Sequence, residues 1–320
     1  MTTIHGLEIT TTAATTFGNV LTAMVTPFDQ CDRVDLPAAE RLAAWLTRDG
    51  WNDGIVVNGT TGESIATTDH EKSKMVGAAR RAVAGSGKRV IAGVGAGDTR
   101  HSIRLAQAAE QWGADGLLLV APYYSRPSQR GLLRHFLAVA DSTSLPVMLY
   151  DIPQRTGVAI EPETFAAAAK HPGIVAVKDA KGDLESSSWV MRETGLEYYS
   201  GDDALNLPLL AIGAVGFVSV VGHVVGDRLA ELFHLYSQGR VDQALAVHRE
   251  LLPVYRGMLR APAAASVKAA LAALGMPAGS LRAPLAELSA EEHSALLADL
   301  ADLAGLTGVA ASGAGVSQPV

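Results

Sequence analysis

The sequence IVAVKD, residues 174–179, decides the fold class. Its first four residues are apolar and three of them are β-branched, which is typical of a strand buried on both faces of a parallel sheet. Lys178 ends the apolar run. The apolar run predicts a parallel α/β fold. Because lysine is rarely buried without a partner, Lys178 is a candidate functional side chain at the end of this strand.

Similar apolar runs repeat along the chain, separated mostly by about 25 to 35 residues, the length of a strand–helix–strand unit. Counting IVAVKD, there are eight, and the other seven are residues 21–25, 54–59, 89–94, 116–121, 146–151, 197–201 and 216–221. Segments with helical spacing lie between them, such as residues 36–50, 68–85 and 99–113. Eight consecutive units predict a (β/α)8 TIM barrel.

A doubly wound sheet is the alternative architecture. The eight regular units disfavour it, and so does the lack of a dinucleotide-binding fingerprint. GVGAGD, residues 93–98, begins like one, but its sixth position is Asp98 instead of glycine. This stretch fits a flexible loop better.

We expect four parts in the chain. Residues 1–17 are predicted to be a flexible N-terminal extension, and residues 18–237 the catalytic barrel. The alanine-rich helical patterns in residues 238–308 exceed what one barrel unit needs, so they predict a C-terminal helical extension. Residues 309–320 are small and polar and are predicted to be a disordered tail.

Composition excludes several classes of protein. The net charge is −7 and no basic stripe occurs, so no nucleic acid is expected as a partner. The single cysteine, Cys31, cannot form an internal disulfide or a thiolate zinc site. No apolar segment reaches the ~20 residues of a membrane span, and the N-terminus does not resemble a signal peptide. We therefore expect a cytoplasmic protein without membrane contact.

Neither a metal nor an organic cofactor is expected. The nine histidines include no pair at helical i, i+4 spacing, which metal sites often use. His223 follows the eighth apolar run, and we interpret it as a packing residue.

Lys178 is the strongest candidate for chemistry. In a TIM barrel the active residues lie at the carboxyl ends of the strands. A dry position there favours the neutral amine, which can attack a carbonyl group and form a Schiff base. The structural alternative is a lysine whose stem lies along the barrel while its ammonium group reaches water. Position alone does not decide between them.

Other strand ends carry compatible groups. Tyr150 could relay protons or simply cap the barrel core. Thr60 and Thr61 lie in a glycine-bounded turn whose N–H groups and hydroxyls could hold a carboxylate, or they could merely form a tight turn. Arg155 could bind a carboxylate through two hydrogen bonds, or it could be a solvated surface residue. Together with Lys178 they indicate carbonyl chemistry on an acidic substrate.

The motifs at these strand ends resemble a known family. They are GTTGES (59–64), PYYSRPSQ (122–129), LYDIPQRTG (149–157), VKDAKGD (177–183) and SGDDALNLP (200–208). In this order they are similar to the pyruvate-dependent class I aldolases, the family of dihydrodipicolinate synthase and N-acetylneuraminate lyase, over about residues 18–305. PYYSRPSQ and Arg155 point to the 4-hydroxy-tetrahydrodipicolinate synthase branch.

The resemblance implies a lyase of diaminopimelate and L-lysine biosynthesis. Lys178 would form a Schiff base with pyruvate, and the resulting enamine would attack L-aspartate 4-semialdehyde. Proton transfer would fall to Tyr150, Thr60 and Tyr124, with Tyr124 shared across the tight dimer of a homotetramer. The implied substrate-binding residues are Thr60, Thr61, Arg155, Gly201 and Val218.

One departure from the family concerns regulation. Lysine-inhibited members place histidines, an asparagine and a glutamate around an allosteric L-lysine. The matching positions here are Asp69, Lys72, Gly97 and His101. Two of them are cationic or can become so, which disfavours a cationic ligand. We therefore expect weak or absent feedback inhibition by L-lysine.

Three other functions are considered. A related pyruvate-dependent aldolase acting on a 2-keto-3-deoxy sugar acid would share Lys178 and Tyr150, but its polyol chain would not need Arg155. A barrel that only binds a keto acid would be indicated by loss of Lys178, Tyr150 or Thr60, and all three are present. A barrel without any site would make the strand-end pattern a coincidence.

Overall fold

A computed structural model describes residues 15–276 and 278–301. Eight parallel strands close into a barrel in sequence order, and the eighth pairs with the first. This confirms the predicted TIM barrel. The strands are β1 (Val20–Ala23), β2 (Gly54–Val57), β3 (Arg89–Gly93), β4 (Gly116–Val120), β5 (Val147–Asp151), β6 (Ile174–Asp179), β7 (Glu197–Ser200) and β8 (Gly216–Ser219).

Helices follow the strands and continue beyond the last one. They are α1 (Leu36–Leu46), α2 (Asp69–Ala82), α3 (Thr99–Gln111), α4 (Gln129–Ala140), α5 (Pro153–Thr156), α6 (Pro162–Ala168), α7 (Leu184–Thr194), α8 (Asn206–Ala211), α9 (Gly222–Ser237), α10 (Val241–Met258), α11 (Ala263–Ala273) and α12 (Ala290–Leu300). Local sequence determines where α2 begins, because Thr68 and Glu71 form a reciprocal capping box at its first turn.

The apolar core has two layers. One lies between the strands and the surrounding helices. The other fills the barrel interior with Phe17, Leu21, Ala23, Val56, Ile91, Leu118, Met148, Tyr150, Ala176, Tyr199 and Val218. Because side chains alternate along a strand, Lys178 shares the inner face of β6 with Ala176. The Lys178 side chain therefore points toward the interior of the barrel.

The amino-terminal end of the barrel is closed by an aromatic pair. Phe17 is fully buried, and its ring meets the ring of Tyr199 edge-on at 6.4 Å between centroids. The Thr16 N–H donates to the Glu197 carboxylate over 2.9 Å. Phe17 is thus a core residue, although it falls within the segment predicted to be flexible. Residues 1–14 and 302–320, with the predicted tail, lie outside the described residues.

The C-terminal helices pack on one another and return the chain to the barrel mouth. The buried carboxylate of Asp299 in α12 pairs with Arg256 and Arg260, each at 2.5 Å. Between α11 and α12, residues 278–289 run back over the carboxyl end of the barrel, where Arg282 pairs with Glu71 of α2 at 2.6 Å. The helical extension therefore contributes to the same end of the barrel as Lys178.

Within residues 15–276 and 278–301, no helix has both the length and the apolar character that a membrane span needs.

Replacing Phe17 by Ala should remove the aromatic closure of the barrel. We expect the free energy of unfolding, measured by urea denaturation, to fall by about 3–5 kcal/mol because a buried ring leaves a cavity. Leu252→Ala, at a half-exposed position, is the control and should change it by about 0.5 kcal/mol or less. Equal losses in the two variants would show that Phe17 does not close the core.

Candidate active site

Lys178 lies at the carboxyl end of β6 and is only 4 % exposed. Its Nζ lies 4.3 Å from the centroid of the Tyr150 ring, and the two residues are partners in the β5–β6 register. Burial lowers the pKa of Lys178 to about 8; the Asp203 carboxylate opposes this shift and the Arg155 guanidinium adds to it. About one tenth of the amine is therefore neutral at pH 7, far more than for an exposed lysine.

Tyr150 ends the inner face of β5 and is almost completely buried. Burial raises the pKa of its phenol to about 12, against the opposing effects of Arg155 and of a side-chain hydrogen bond with Thr60. The hydroxyl therefore stays protonated and can donate or pass on a proton. The structure thus brings Lys178, Tyr150 and Thr60 together.

A cavity of about 400 Å³ opens in front of Tyr150. Thr60 and Arg155 line it together with Tyr150, so a hydroxyl, a phenol and a guanidinium face the same space. Lys178 lies behind Tyr150 and does not line the cavity. Further lining residues include Asn58, Glu63, Ser64, Ile65, Gly93, Gly95, Tyr123, Gln154, Arg282, Pro284 and Leu285.

The other predicted substrate-binding residues occupy different positions. Gly201 follows β7 beside Lys178, and a Cβ there would come within 2.9 Å of the lysine Cε, so a side chain at this position would make the lysine shift. Val218 is buried in the barrel interior. Thr61 is buried next to Thr60 in the chain but does not line the cavity.

Tyr124 stands apart from the other predicted residues. Its side chain is 96 % exposed and its backbone has a positive φ of 73°. Such a conformation is uncommon for a residue with a side chain and marks a constrained or functional position. Within one chain it does not complete the cavity.

Several residues of the site have no role in the sequence analysis. The Asp203 carboxylate accepts the N–H groups of Val220 and Val221 at 2.9 and 3.0 Å, which ties the end of β7 to the end of β8. Arg126 donates through Nε to the Gly157 carbonyl at 2.8 Å and so holds the loop of Arg155. Both lie within motifs noted in the sequence, but their partners are distant in sequence.

His223 is bonded on both ring nitrogens to backbone groups. Nδ1 donates to the Val220 carbonyl at 2.8 Å, and Nε2 accepts the Val25 N–H at 3.2 Å. It is fully buried, which agrees with its interpretation as a packing residue. In the described part of the chain, no group of three or more His, Cys, Asp and Glu side chains could hold a metal ion.

This arrangement places a partly neutral buried amine beside the phenol of Tyr150, which lines one cavity together with a hydroxyl and a guanidinium. It can hold a small anion and carry out nucleophilic attack on a carbonyl group. Comparison with known proteins agrees with this chemistry. The sequence model of the dihydrodipicolinate synthetase family matches residues 16–303. The chain belongs to the dihydrodipicolinate synthetase family.

Individual relatives support the assignment. The chain is 56 % identical to 4-hydroxy-tetrahydrodipicolinate synthase 2 of Streptomyces coelicolor over 91 % of its own length and 97 % of the relative. It is 57 % identical to 4-hydroxy-tetrahydrodipicolinate synthase of Acidothermus cellulolyticus, over 89 % and 92 % of the two chains. At this similarity the protein is an enzyme of the lyase class.

A solved structure of the family has the same fold. The dihydrodipicolinate synthase of Cyanidioschyzon merolae with lysine bound superposes with a TM-score of 0.88 at 39 % identity, covering 91 % of this chain and 99 % of the other. The two chains thus share the same fold over most of their length.

The buried His223 should make the protein sensitive to acid. Burial lowers the pKa of His223 to about 4, below its unfolded value of about 6.5. The unfolded chain therefore binds more protons between these values, so stability is complete above about pH 6.5 and decreases as the pH falls toward 4. We expect His223 to account for a loss of about 2 kcal/mol between pH 7 and 5.

Urea denaturation at the two pH values tests this, with His223→Gln as the variant, because an amide can donate and accept but does not titrate there. The loss should be smaller in the variant by about that amount. An equal loss in both proteins would show that His223 is not the responsible group.

Proposed function

We propose that this enzyme condenses pyruvate with L-aspartate 4-semialdehyde, the reaction of 4-hydroxy-tetrahydrodipicolinate synthase. The main observation in its support is the buried amine of Lys178, which lies against the Tyr150 ring. Thr60 and Arg155 line the cavity next to that ring. The names of the relatives support the same reaction. The enzyme would act in the cytoplasm, in the route to diaminopimelate and L-lysine.

Lys178 is the nucleophile in this proposal. The neutral Nζ attacks the pyruvate carbonyl carbon, and loss of water leaves an imine. The imine draws electrons from the adjacent methyl carbon, which loses a proton and becomes an enamine. That carbon then forms the new bond to the aldehyde carbon of the semialdehyde, and the aldehyde oxygen takes up a proton. The amino group of the semialdehyde then adds to the imine carbon and closes a ring, and the bond from that carbon to Lys178 breaks and releases the amine. No cofactor is needed because the protonated imine itself accepts the electrons.

Tyr150 and Thr60 would move these protons, since both side chains line the same cavity. Thr60 and Thr61 would hold the pyruvate carboxylate, with Gly201 and Val218 around the same pocket. Tyr124 would complete the relay in the neighbouring subunit of a homotetramer built from two tight dimers. Its full exposure and positive φ support a role outside its own chain.

Arg155 distinguishes the proposed reaction from the alternative on a 2-keto-3-deoxy sugar acid. Its guanidinium lines the cavity and suits the second carboxylate of an amino-acid semialdehyde. A polyol chain offers no such charge. The relatives, which carry the synthase name at 50–57 % identity, do not favour the alternative.

A coupled assay tests the proposal. Purified enzyme is mixed with pyruvate, the semialdehyde and the next reductase of the pathway, and NADPH loss is followed. Lys178→Ala should lower kcat by about 10⁴-fold or more because covalent catalysis is lost, while Lys170→Ala, at an exposed lysine, should be unaffected. Arg155→Ala should raise KM for the semialdehyde more than KM for pyruvate.

The contradicting results are equally specific. Turnover by Lys178→Ala at the normal rate would refute the role of this lysine. A wild-type enzyme that cleaves a 2-keto-3-deoxy sugar acid, and that shows no NADPH loss in the coupled assay, would favour the alternative.

We also propose weak or absent feedback inhibition by L-lysine. Nε2 of His101 lies 2.9 Å from the Asp69 carboxylate, so that carboxylate already has a partner. The Lys72 ammonium is buried and donates to the Ser64 and Thr67 carbonyls at 2.7 and 2.6 Å. Neither position offers a free carboxylate to the ammonium group of a ligand.

Initial rates in the coupled assay should stay unchanged as L-lysine rises into the millimolar range. The same concentrations of sodium chloride serve as the control for ionic strength. Saturable inhibition by L-lysine at millimolar concentrations, absent with sodium chloride, would contradict the expectation.

A further inference from the structure

A buried ion pair lies next to the Thr60 turn. Oε1 of Glu63 lies 2.7 Å from Nζ of Lys268 in α11, and the two side chains are 1 % and 5 % exposed. The second carboxylate oxygen, Oε2, accepts a hydrogen bond from the backbone N–H of Arg282 at 2.9 Å. Glu63 therefore joins β2's loop to two C-terminal segments that lie more than 200 residues away in sequence.

The same glutamate belongs to the turn that carries Thr60. The Glu63 N–H donates to the Thr60 carbonyl at 3.1 Å, and the Gly62 N–H donates to the Gly59 carbonyl at 3.1 Å. Glu63 also has a left-handed backbone, with φ 55° and ψ 37°. Such a conformation persists only where the surroundings hold it, and here the carboxylate provides that hold.

Lys268 and Arg282 are themselves held firmly. Nζ of Lys268 also donates to the Ser280 carbonyl at 2.6 Å and lies 4.5 Å from the centroid of the Phe28 ring. The Arg282 guanidinium donates to the Ala66 carbonyl at 2.7 Å. The two C-terminal residues that hold the Glu63 carboxylate are thus themselves hydrogen-bonded to other parts of the chain.

The segments that Glu63 joins form two sides of the cavity. Thr60 and Glu63 line it on the β2 side, and Arg282, Pro284 and Leu285 line it on the C-terminal side. A buried ion pair contributes little net stability, because desolvation offsets the attraction. Its location between the reacting turn and the opposite wall therefore indicates a role in geometry.

We propose that Glu63 is a positioning residue for the condensation. Through Lys268 and the Arg282 N–H, it fixes the turn that presents Thr60 to Tyr150, and it sets the distance between this turn and the C-terminal wall of the cavity. The inference rests on the proposed function. It adds that activity requires the C-terminal segments that carry Lys268 and Arg282.

The test compares kinetics with stability in matched variants. Glu63→Gln leaves the Lys268 ammonium unpaired and should unfold at a lower temperature. The double variant Glu63→Gln/Lys268→Met removes both charges and should unfold near the wild-type temperature. Its kcat in the coupled assay should still fall by about tenfold or more because the Thr60 turn is no longer held in place.

If Glu63 had a purely structural role, kcat and the unfolding temperature would change together in these variants. In the double variant we expect KM for pyruvate to rise as kcat falls, and the pH profile of kcat to change because the Thr60–Tyr150 contact is loosened. Asp299→Asn is the control. Asp299 is another buried carboxylate that joins C-terminal helices, it does not line the cavity, and its loss should leave kcat within about twofold.

The outcomes are distinguishable. If the wild type shows no turnover with pyruvate and the semialdehyde, the proposed function fails and the inference fails with it. If the wild type is active and the folded double variant has the same kcat, KM and pH profile, the inference alone is overturned. Should the double variant not fold, Glu63→Asp keeps the charge but retracts the carboxylate; it should also lose kcat, and wild-type kinetics there would overturn the proposal.

Discussion

The site depends on one constraint, the burial of an amine at the end of a strand. Lys178 is held on the inner face of β6 with its Nζ against the Tyr150 ring, where water cannot stabilise the ammonium form. The parallel barrel makes this possible because strand carboxyl ends converge on one face. Gly201 keeps the neighbouring strand end free of a side chain that would displace the lysine.

The charges around Lys178 shift the pKa of its amine in opposite directions. Burial and Arg155 lower the pKa of Lys178, whereas Asp203 raises it. The same Arg155 lowers the pKa of Tyr150, which burial raises. One guanidinium thus lowers the pKa of both the amine and the phenol. The residue proposed to bind the second substrate would therefore also influence the reacting pair.

Much of the fold could be predicted because the signals were local. IVAVKD predicts β6 with the bounds that the structure shows, residues 174–179. The positions of Lys178 and Tyr150 at neighbouring strand ends could also be predicted. The Glu63–Lys268 pair could not, since its partners are separated by 205 residues and no periodicity links them. Phe17 was missed because one aromatic residue beside a threonine-rich stretch gives no strand or helix signal.

The most direct measurement of the central claim is to reduce the enzyme with borohydride in the presence of pyruvate and to map the modified peptide by mass spectrometry. The account predicts one reduced pyruvate adduct per chain, located on Lys178, with trapping that becomes faster as the pH rises toward 8. An adduct on another lysine, or an enzyme that turns over pyruvate without any trapped adduct, would contradict it.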